Sequence, residues 1–291
     1  MTSRITTRRF PRADGLSLVA DVGGNPEAPA VILLHGGGQT RHSWGKAMEE
    51  LVDRGYFALS LDARGHGDSD WSADGTYGLD ASATDLRGVI ATLHSPPALV
   101  GASMGGATAL YTVGNSSEPV ASALVLVDIV PRVEQEGSAR IQAFMRAHQD
   151  GFETFDDAVN AVAEYYPERP RPKDPSGLRK NLRQRADGRY YWHWDPRMLS
   201  GPRRLEPPQF FEALEQAATR VRIPTLLVRG LQSDIVSEEG VAALREKLQG
   251  LEVFDVADAG HMVAGDKNDA FNRGVLDFLG RHMPATRKAV S

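Results

Sequence analysis

Short apolar runs alternate with longer stretches of helical character along most of this chain, and that alternation limits its fold more than any other feature. The runs are residues 30–34 (AVILL), 56–61 (YFALSL), 98–100 (ALV), 123–127 (ALVLV), 224–228 (PTLLV) and 251–256 (LEVFDV). Several are apolar at successive positions, the pattern of a strand buried on both faces, and such strands belong to a parallel sheet covered by helices. Residues 5–10 and 16–22 read as an antiparallel pair ahead of them, giving about eight strands. Helices are predicted over 44–54, 79–94, 105–114, 238–248 and 270–279. The expected class is therefore α/β, a mostly parallel sheet flanked by helices.

Between residues 131 and 214 the strand pattern stops, and helical stretches are interrupted by the run YPERPRPKDP at 166–175. Strands and helices in such sheets are usually joined by a few residues, so a segment this long after the sixth strand predicts a helical cap rather than a loop. The core is then 1–130 with 215–284, and 285–291 is a short polar tail expected to be flexible.

Composition excludes several function classes. The chain has no cysteine, so thiolate metal sites, disulfides and cysteine nucleophiles are ruled out. A net charge of −5 argues against a nucleic-acid partner, which would need a basic face. Arg4, Arg8 and Arg9 are not followed by the apolar run of a signal peptide, and no window approaches the roughly 18 apolar residues of a spanning helix. A soluble cytoplasmic protein, with no membrane partner, is the expectation.

The run at 98–100 leads into Gly101-Ala102-Ser103-Met104-Gly105-Gly106, and a helical pattern follows at once. G-x-S-x-G between a buried strand and a helix is a nucleophile elbow: the turn is too tight for side chains at the glycines, and the serine is held out above the positive end of the helix. Ser103 is the predicted nucleophile. Attack on a carbonyl also needs N–H donors for the developing oxyanion, and His35-Gly36-Gly37-Gly38 after the run at 30–34 offers bare backbone for that purpose. Gly37 and Met104 N–H are the predicted pair. A dinucleotide loop does not fit, because Arg41 stands where G-x-G-x-x-G needs its last glycine.

His261, in Asp258-Ala259-Gly260-His261, follows the last strand, at the sheet edge where the Ser103 turn also lies. It is the predicted general base. Two aspartates compete to orient it, Asp234 beyond the run at 224–228 and Asp128 directly after the run at 123–127. The chain order Ser, Asp, His favours Asp234. In the insert, Tyr190, Trp192 and Trp194 alternate within DGRYYWHWDP, so an extended segment would put them on one face. They are candidates to roof a substrate pocket, and packing of the cap onto the core would use them equally well.

Taken together, His35-Gly36 with Trp44 downstream, Asp62-Ala63-Arg64-Gly65-His66-Gly67-Asp68-Ser69, the Ser103 elbow, the Asp234 loop and Gly260-His261 resemble the α/β-hydrolase superfamily, in its branch of capped esterases, peroxidase-like hydrolases and epoxide hydrolases. The resemblance covers nearly everything outside the insert. It implies a structural role for the 62–69 loop and a serine hydrolase acting on small carboxylic esters or lactones through an acyl-enzyme, with no metal or organic cofactor. Epoxide hydrolases and dehalogenases carry aspartate where Ser103 stands. Carbon–carbon bond hydrolases and perhydrolases share the triad and remain alternatives, as does, more remotely, a non-catalytic receptor of small molecules.

Overall fold

The computed structural model describes residues 5–165, 174–201, 207–261 and 268–285. Eight strands form one sheet. Strands β1 (Thr6–Pro11) and β2 (Ser17–Gly23) pair antiparallel, as expected, and β2 pairs antiparallel with β4 (Phe57–Asp62). From β4 onward every pairing is parallel, through β3 (Ala30–Leu34), β5 (Ala98–Ala102), β6 (Ala123–Val127), β9 (Thr225–Gly230) and β10 (Glu252–Val256).

The continuous apolar runs bury both faces. On β3, Ile32 and Leu34 point into one core with Leu99, Leu124 and Leu126, while Val31 and Leu33 point into the other with Val100 and Val125. Helices α1 (Gly45–Asp53) and α8 (Asn268–His282) cover the second face through Met48, Leu51, Phe271 and Phe278. Helices α2 (Leu79–Ile90), α3 (Met104–Gly114), α6 (Pro207–Ala218) and α7 (Glu238–Lys247) cover the first, contributing Leu86, Leu110, Leu214 and Leu244 among others. Helix α3 packs so closely on α6 that a Cβ at Gly114 would stand 2.2 Å from the Ala217 carbonyl oxygen.

The long connection between β6 and β9 holds α4 (Gln135–Ala147) and α5 (Phe155–Tyr165) and also a short antiparallel hairpin, β7 (Leu182–Gln184) with β8 (Tyr190–Trp192). A helical cap was expected, with extended backbone considered only around residues 190–194. The hairpin forms because Gly188, at φ +82°, closes the turn from Arg185 to Arg189, and β8 gains a second partner in Phe152. A satellite core of Phe152, Ala158, Leu182, Trp192 and Trp194 lies within the insert. Of the proline-rich interruption at 166–175 only 174–175 fall within the described residues, and of the predicted tail only 285 does.

Candidate active site

Strand β5 ends at a turn whose two flanking positions admit only glycine. A Cβ at Gly101 would lie 2.5 Å from the Gly105 carbonyl carbon, and one at Gly105 would lie 2.4 Å from the Leu34 carbonyl oxygen. Between them Ser103 is held at φ +46° and ψ −113°, a conformation a non-glycine residue adopts only when its surroundings impose it. Its N–H donates to the Val127 carbonyl oxygen at 3.1 Å, and the first turn of α3 begins directly after it. Met104 N–H therefore belongs to the unpaired, positive end of a helix.

Strand β6 ends in the same way. Asp128 directly follows it at φ +49° and is wholly buried. Its Oδ1 accepts from Gly230 N–H at 3.1 Å; its Oδ2 accepts from Ser233 Oγ–H at 2.5 Å and from His261 Nδ1–H at 2.8 Å. Ser233 Oγ in turn accepts from Ile235 and Val236 N–H, so the hydroxyl is fixed as a donor toward the carboxylate. The proton on His261 must sit on Nδ1, where it meets the anion, which leaves Nε2 with a free lone pair and no partner among the described residues.

The expectation that Asp234 orients His261 is corrected by this geometry. Asp234 lies four residues past the end of β9, beyond a turn in which Ser233 N–H donates back to the Gly230 carbonyl oxygen and Gln232 N–H to that of Ala259. That turn directs Ser233 inward and Asp234 outward, where its carboxylate pairs with Arg140 of α4 at 2.8 Å, the two side chains 37% and 51% exposed. Sequence order could not separate the two aspartates, and Ser233 carried no signal in the sequence at all.

The three-glycine turn after β3 is held at several points. Gly36 N–H donates to Gln39 Oε1 at 3.0 Å and Gly38 N–H to His66 Nε2 at 3.2 Å, whereas Gly37 N–H, between them, has no partner among the described residues. His35 Nδ1–H donates to the Gly36 carbonyl oxygen at 2.8 Å, and His35 Nε2 accepts from Ala63 N–H at 3.0 Å. Since Gly36 C=O and Gly37 N–H share one rigid peptide plane, the His35 contact also sets the direction of the free N–H. The rings of His35, His66 and His193 form a buried array with centroids 4.9 and 5.6 Å apart. Burial pulls all three below the usual imidazole range, His66 well below it and His193 to about 4, so all three are neutral at neutral pH.

The 62–69 loop has the structural role the resemblance implied. Asp62 is fully buried and gathers Arg41 N–H at 2.7 Å, the Arg41 guanidinium and Asp68 N–H at 3.0 Å. The hydroxyl of Ser69 donates to the Asp62 carbonyl oxygen at 2.7 Å and accepts from Val19 N–H.

Ser103, His261, Gly37 and Met104 all line one cavity of about 610 Å³. Its far wall comes from the insert and α6, including Phe144, Met145, Trp192, Trp194 and Phe211. Tyr190 does not line it: its backbone pairs with Phe152 and its ring lies 6.1 Å from that of Phe155, inside the insert. Among the described lining residues Arg64 is the sole Asp, Glu, Lys or Arg, and its guanidinium is bound to Asp85 at 2.6 Å and Asp14 at 3.1 Å. The described residues contain no cluster of three or more His, Asp or Glu that could hold a metal ion, and no helix among them is long and apolar enough to cross a membrane.

A parallel sheet with a strained serine at one strand end, and a carboxylate-held histidine at another facing the same cavity, defines the class of α/β hydrolases. The family model for the alpha/beta hydrolase fold matches residues 29–267, and the chain belongs to that family. Esterase Rv0045c of Mycobacterium tuberculosis is 31% identical over 265 residues, covering 86% of this chain and 83% of its own. The sn-1-specific diacylglycerol lipase ABHD11 of Mus musculus is 29% identical, with 88% and 82% covered. Among solved structures, that mycobacterial esterase superposes with a TM-score of 0.73 at 28% identity, covering 94% of this chain and 92% of its own. The structure of E-2-(acetamidomethylene)succinate hydrolase superposes at 0.81 with 23% identity over 95% and 99%, a likeness of fold alone.

Proposed function

We propose that this chain hydrolyses carboxylic esters, lactones included, through an acyl-enzyme on Ser103. The observation that carries the reading is the convergence of Ser103 and His261 on one cavity, with His261 tied to the buried Asp128. His261 Nε2 takes the Ser103 hydroxyl proton as Oγ bonds to the ester carbonyl carbon. The carbonyl π electrons move to oxygen, and Gly37 and Met104 N–H hold that oxyanion. Collapse breaks the bond to the alcohol oxygen, which leaves with the proton from His261. Water then repeats the sequence on the acyl-enzyme, its proton passing through His261 to Ser103 Oγ as the acid departs. Asp128 keeps His261 in the reactive tautomer and balances the imidazolium that forms.

Names of the relatives point the same way, toward ester bonds. The apolar wall and the spent charge of Arg64 favour a neutral ester with a sizeable apolar body. A panel of nitrophenyl esters with acyl chains from two carbons upward, with lactones beside them, tests the activity. A fluorophosphonate should add once, at Ser103, and fail to add in His261→Ala. Turnover of no member of the panel, or labelling of a different serine, would overturn the reading. If Trp192 and Trp194 set substrate size, their replacement by Ala should change kcat/KM for long chains by more than about tenfold relative to short ones; equal losses at every length would leave them with packing alone.

A further inference from the structure

Three consecutive glycines cannot hold a turn by themselves, because each is free to leave its conformation at little steric cost. Something outside must hold the turn in the form that leaves Gly37 N–H unpaired beside the cavity. His35 and Gln39 fix the near end of the turn at Gly36. At the far end Gly38, at φ +75°, has both its polar groups taken by imidazoles: its N–H donates to His66 Nε2 at 3.2 Å, and its carbonyl oxygen accepts from His193 Nε2–H at 3.1 Å.

His193 differs from the other two histidines in where it comes from. It follows β8 in the insert, whereas His35 and His66 belong to loops of the core. It is buried, its ring is tilted against that of His66, and Nδ1 accepts from Gly67 N–H at 2.7 Å, so its tautomer is fixed and Nε2 must be the donor. The segment around it is anchored firmly: His193 N–H donates to the Asn181 carbonyl oxygen, Asp195 N–H donates to the Gly65 carbonyl oxygen at 2.9 Å, and Tyr77 Oη–H donates to Asp195 Oδ2 at 2.5 Å. The indole nitrogen of Trp194 also lies 3.8 Å from where a Cβ of Gly38 would stand. The insert therefore bears on the glycine turn at Gly38 through two consecutive residues.

We propose that His193 is a positioning residue for acyl transfer: by donating to the Gly38 carbonyl oxygen from the insert, it locks the three-glycine turn in the form that aims Gly37 N–H at the oxyanion. Docking of the insert and alignment of the donor are then one event. The inference rests on the acyl-transfer reading, and an experiment can separate the two.

The variants are His193→Asn and His193→Gln. An Asn amide oxygen can stand where Nδ1 stands and keep the bond from Gly67, but the side chain ends short of Gly38; Gln reaches the Nε2 position with a donor. Measured are kcat and KM on a short-chain nitrophenyl ester, the Ki of a short alkylboronic acid, whose adduct on Ser103 is a tetrahedral anion, and the melting temperature. His193→Asn should lower kcat by about tenfold or more, less than the roughly 10²–10³ of losing an oxyanion donor outright, with KM within about twofold. The boronate Ki should rise by the same factor, and His193→Gln should lie within about threefold of the parent in all three constants. A lower melting temperature in His193→Asn with kcat and Ki unchanged would make the residue a fastener of the insert and overturn the proposal. Equal losses in both variants would overturn it too, as would failure of both to fold, which would place the contact in folding. Failure of the acyl-transfer reading would show differently, as an unmodified enzyme that neither turns over the ester nor binds the boronate.

Discussion

Two loops leave the sheet beside one another, after β6 and after β9, and each carries an aspartate beyond a buried apolar strand. Asp128 stands directly at the strand end, enters the left-handed backbone region and is sealed from solvent against Gly230, Ser233 and His261. Asp234 stands four residues out, past a turn, and meets Arg140 at the surface. The same residue type after the same kind of strand thus finds two unlike environments, and the offset from the strand end makes the difference. A side chain at the very end of a parallel strand is held by the sheet, while one beyond a turn follows the turn.

The largest effect that could break this comparison is on Asp128. In Asp128→Asn the amide could donate to His261 Nδ1 rather than accept from it, leaving the imidazole in the wrong tautomer, and kcat should fall by about 10⁴. Steady-state turnover of a short-chain ester measures it, with circular dichroism to check the fold. A loss below about tenfold would remove Asp128 from the proposed mechanism.

How far the sequence already contained this site depends on the length scale of each feature. The apolar runs of β3, β4, β6 and β9 are long enough to show burial on both faces, and the turn around Ser103 is legible because steric exclusion acts on adjacent residues. The partner of His261 depends on which of two loops reaches it, a contact spanning 133 residues, and both aspartates satisfy the same chain order. The β7–β8 hairpin is not legible in the sequence because three-residue strands are too short to show a period, and its hydrogen-bonded anchor at Phe152 lies far along the chain. His193 sits in a stretch whose aromatics draw attention first, and nothing local reveals that its ring meets Gly38.

A smaller effect sharpens the comparison from within the β9 loop. Ser233, one residue before Asp234, is the part of that loop that turns inward, and its hydroxyl donates to the same oxygen of Asp128 that receives His261. Hydrogen bonds to charged groups contribute about 1.5–3 kcal/mol, but Gly230 N–H and His261 remain on the carboxylate when Ser233 is lost. Ser233→Ala should therefore lower kcat by only about tenfold, with fluorophosphonate labelling of Ser103 slowed but retained. A fall as deep as that of Asp128→Asn would mean that the hydroxyl, rather than the carboxylate, decides the state of His261.

The smallest effect belongs to Asp234 itself. Its partner Arg140 is half exposed and also lies 5.4 Å from the Tyr165 ring centroid, so the guanidinium keeps a second contact when the carboxylate goes. Exposed ion pairs contribute about 0–1 kcal/mol, because water solvates both charges well and ordering two side chains costs entropy. Asp234→Asn keeps the shape of the side chain and removes only its charge, so the loop should hold its path and the inward turn at Ser233 should survive. The expected outcome is a kcat within about twofold of the parent and a melting temperature within about 2 °C, the latter losing sensitivity further as salt rises. Enzyme assays at low and high ionic strength, beside a thermal scan of both proteins, measure this. A loss approaching 10⁴ in Asp234→Asn would reverse the comparison, because it would require the β9 loop to turn over and exchange the two aspartates at His261 during catalysis.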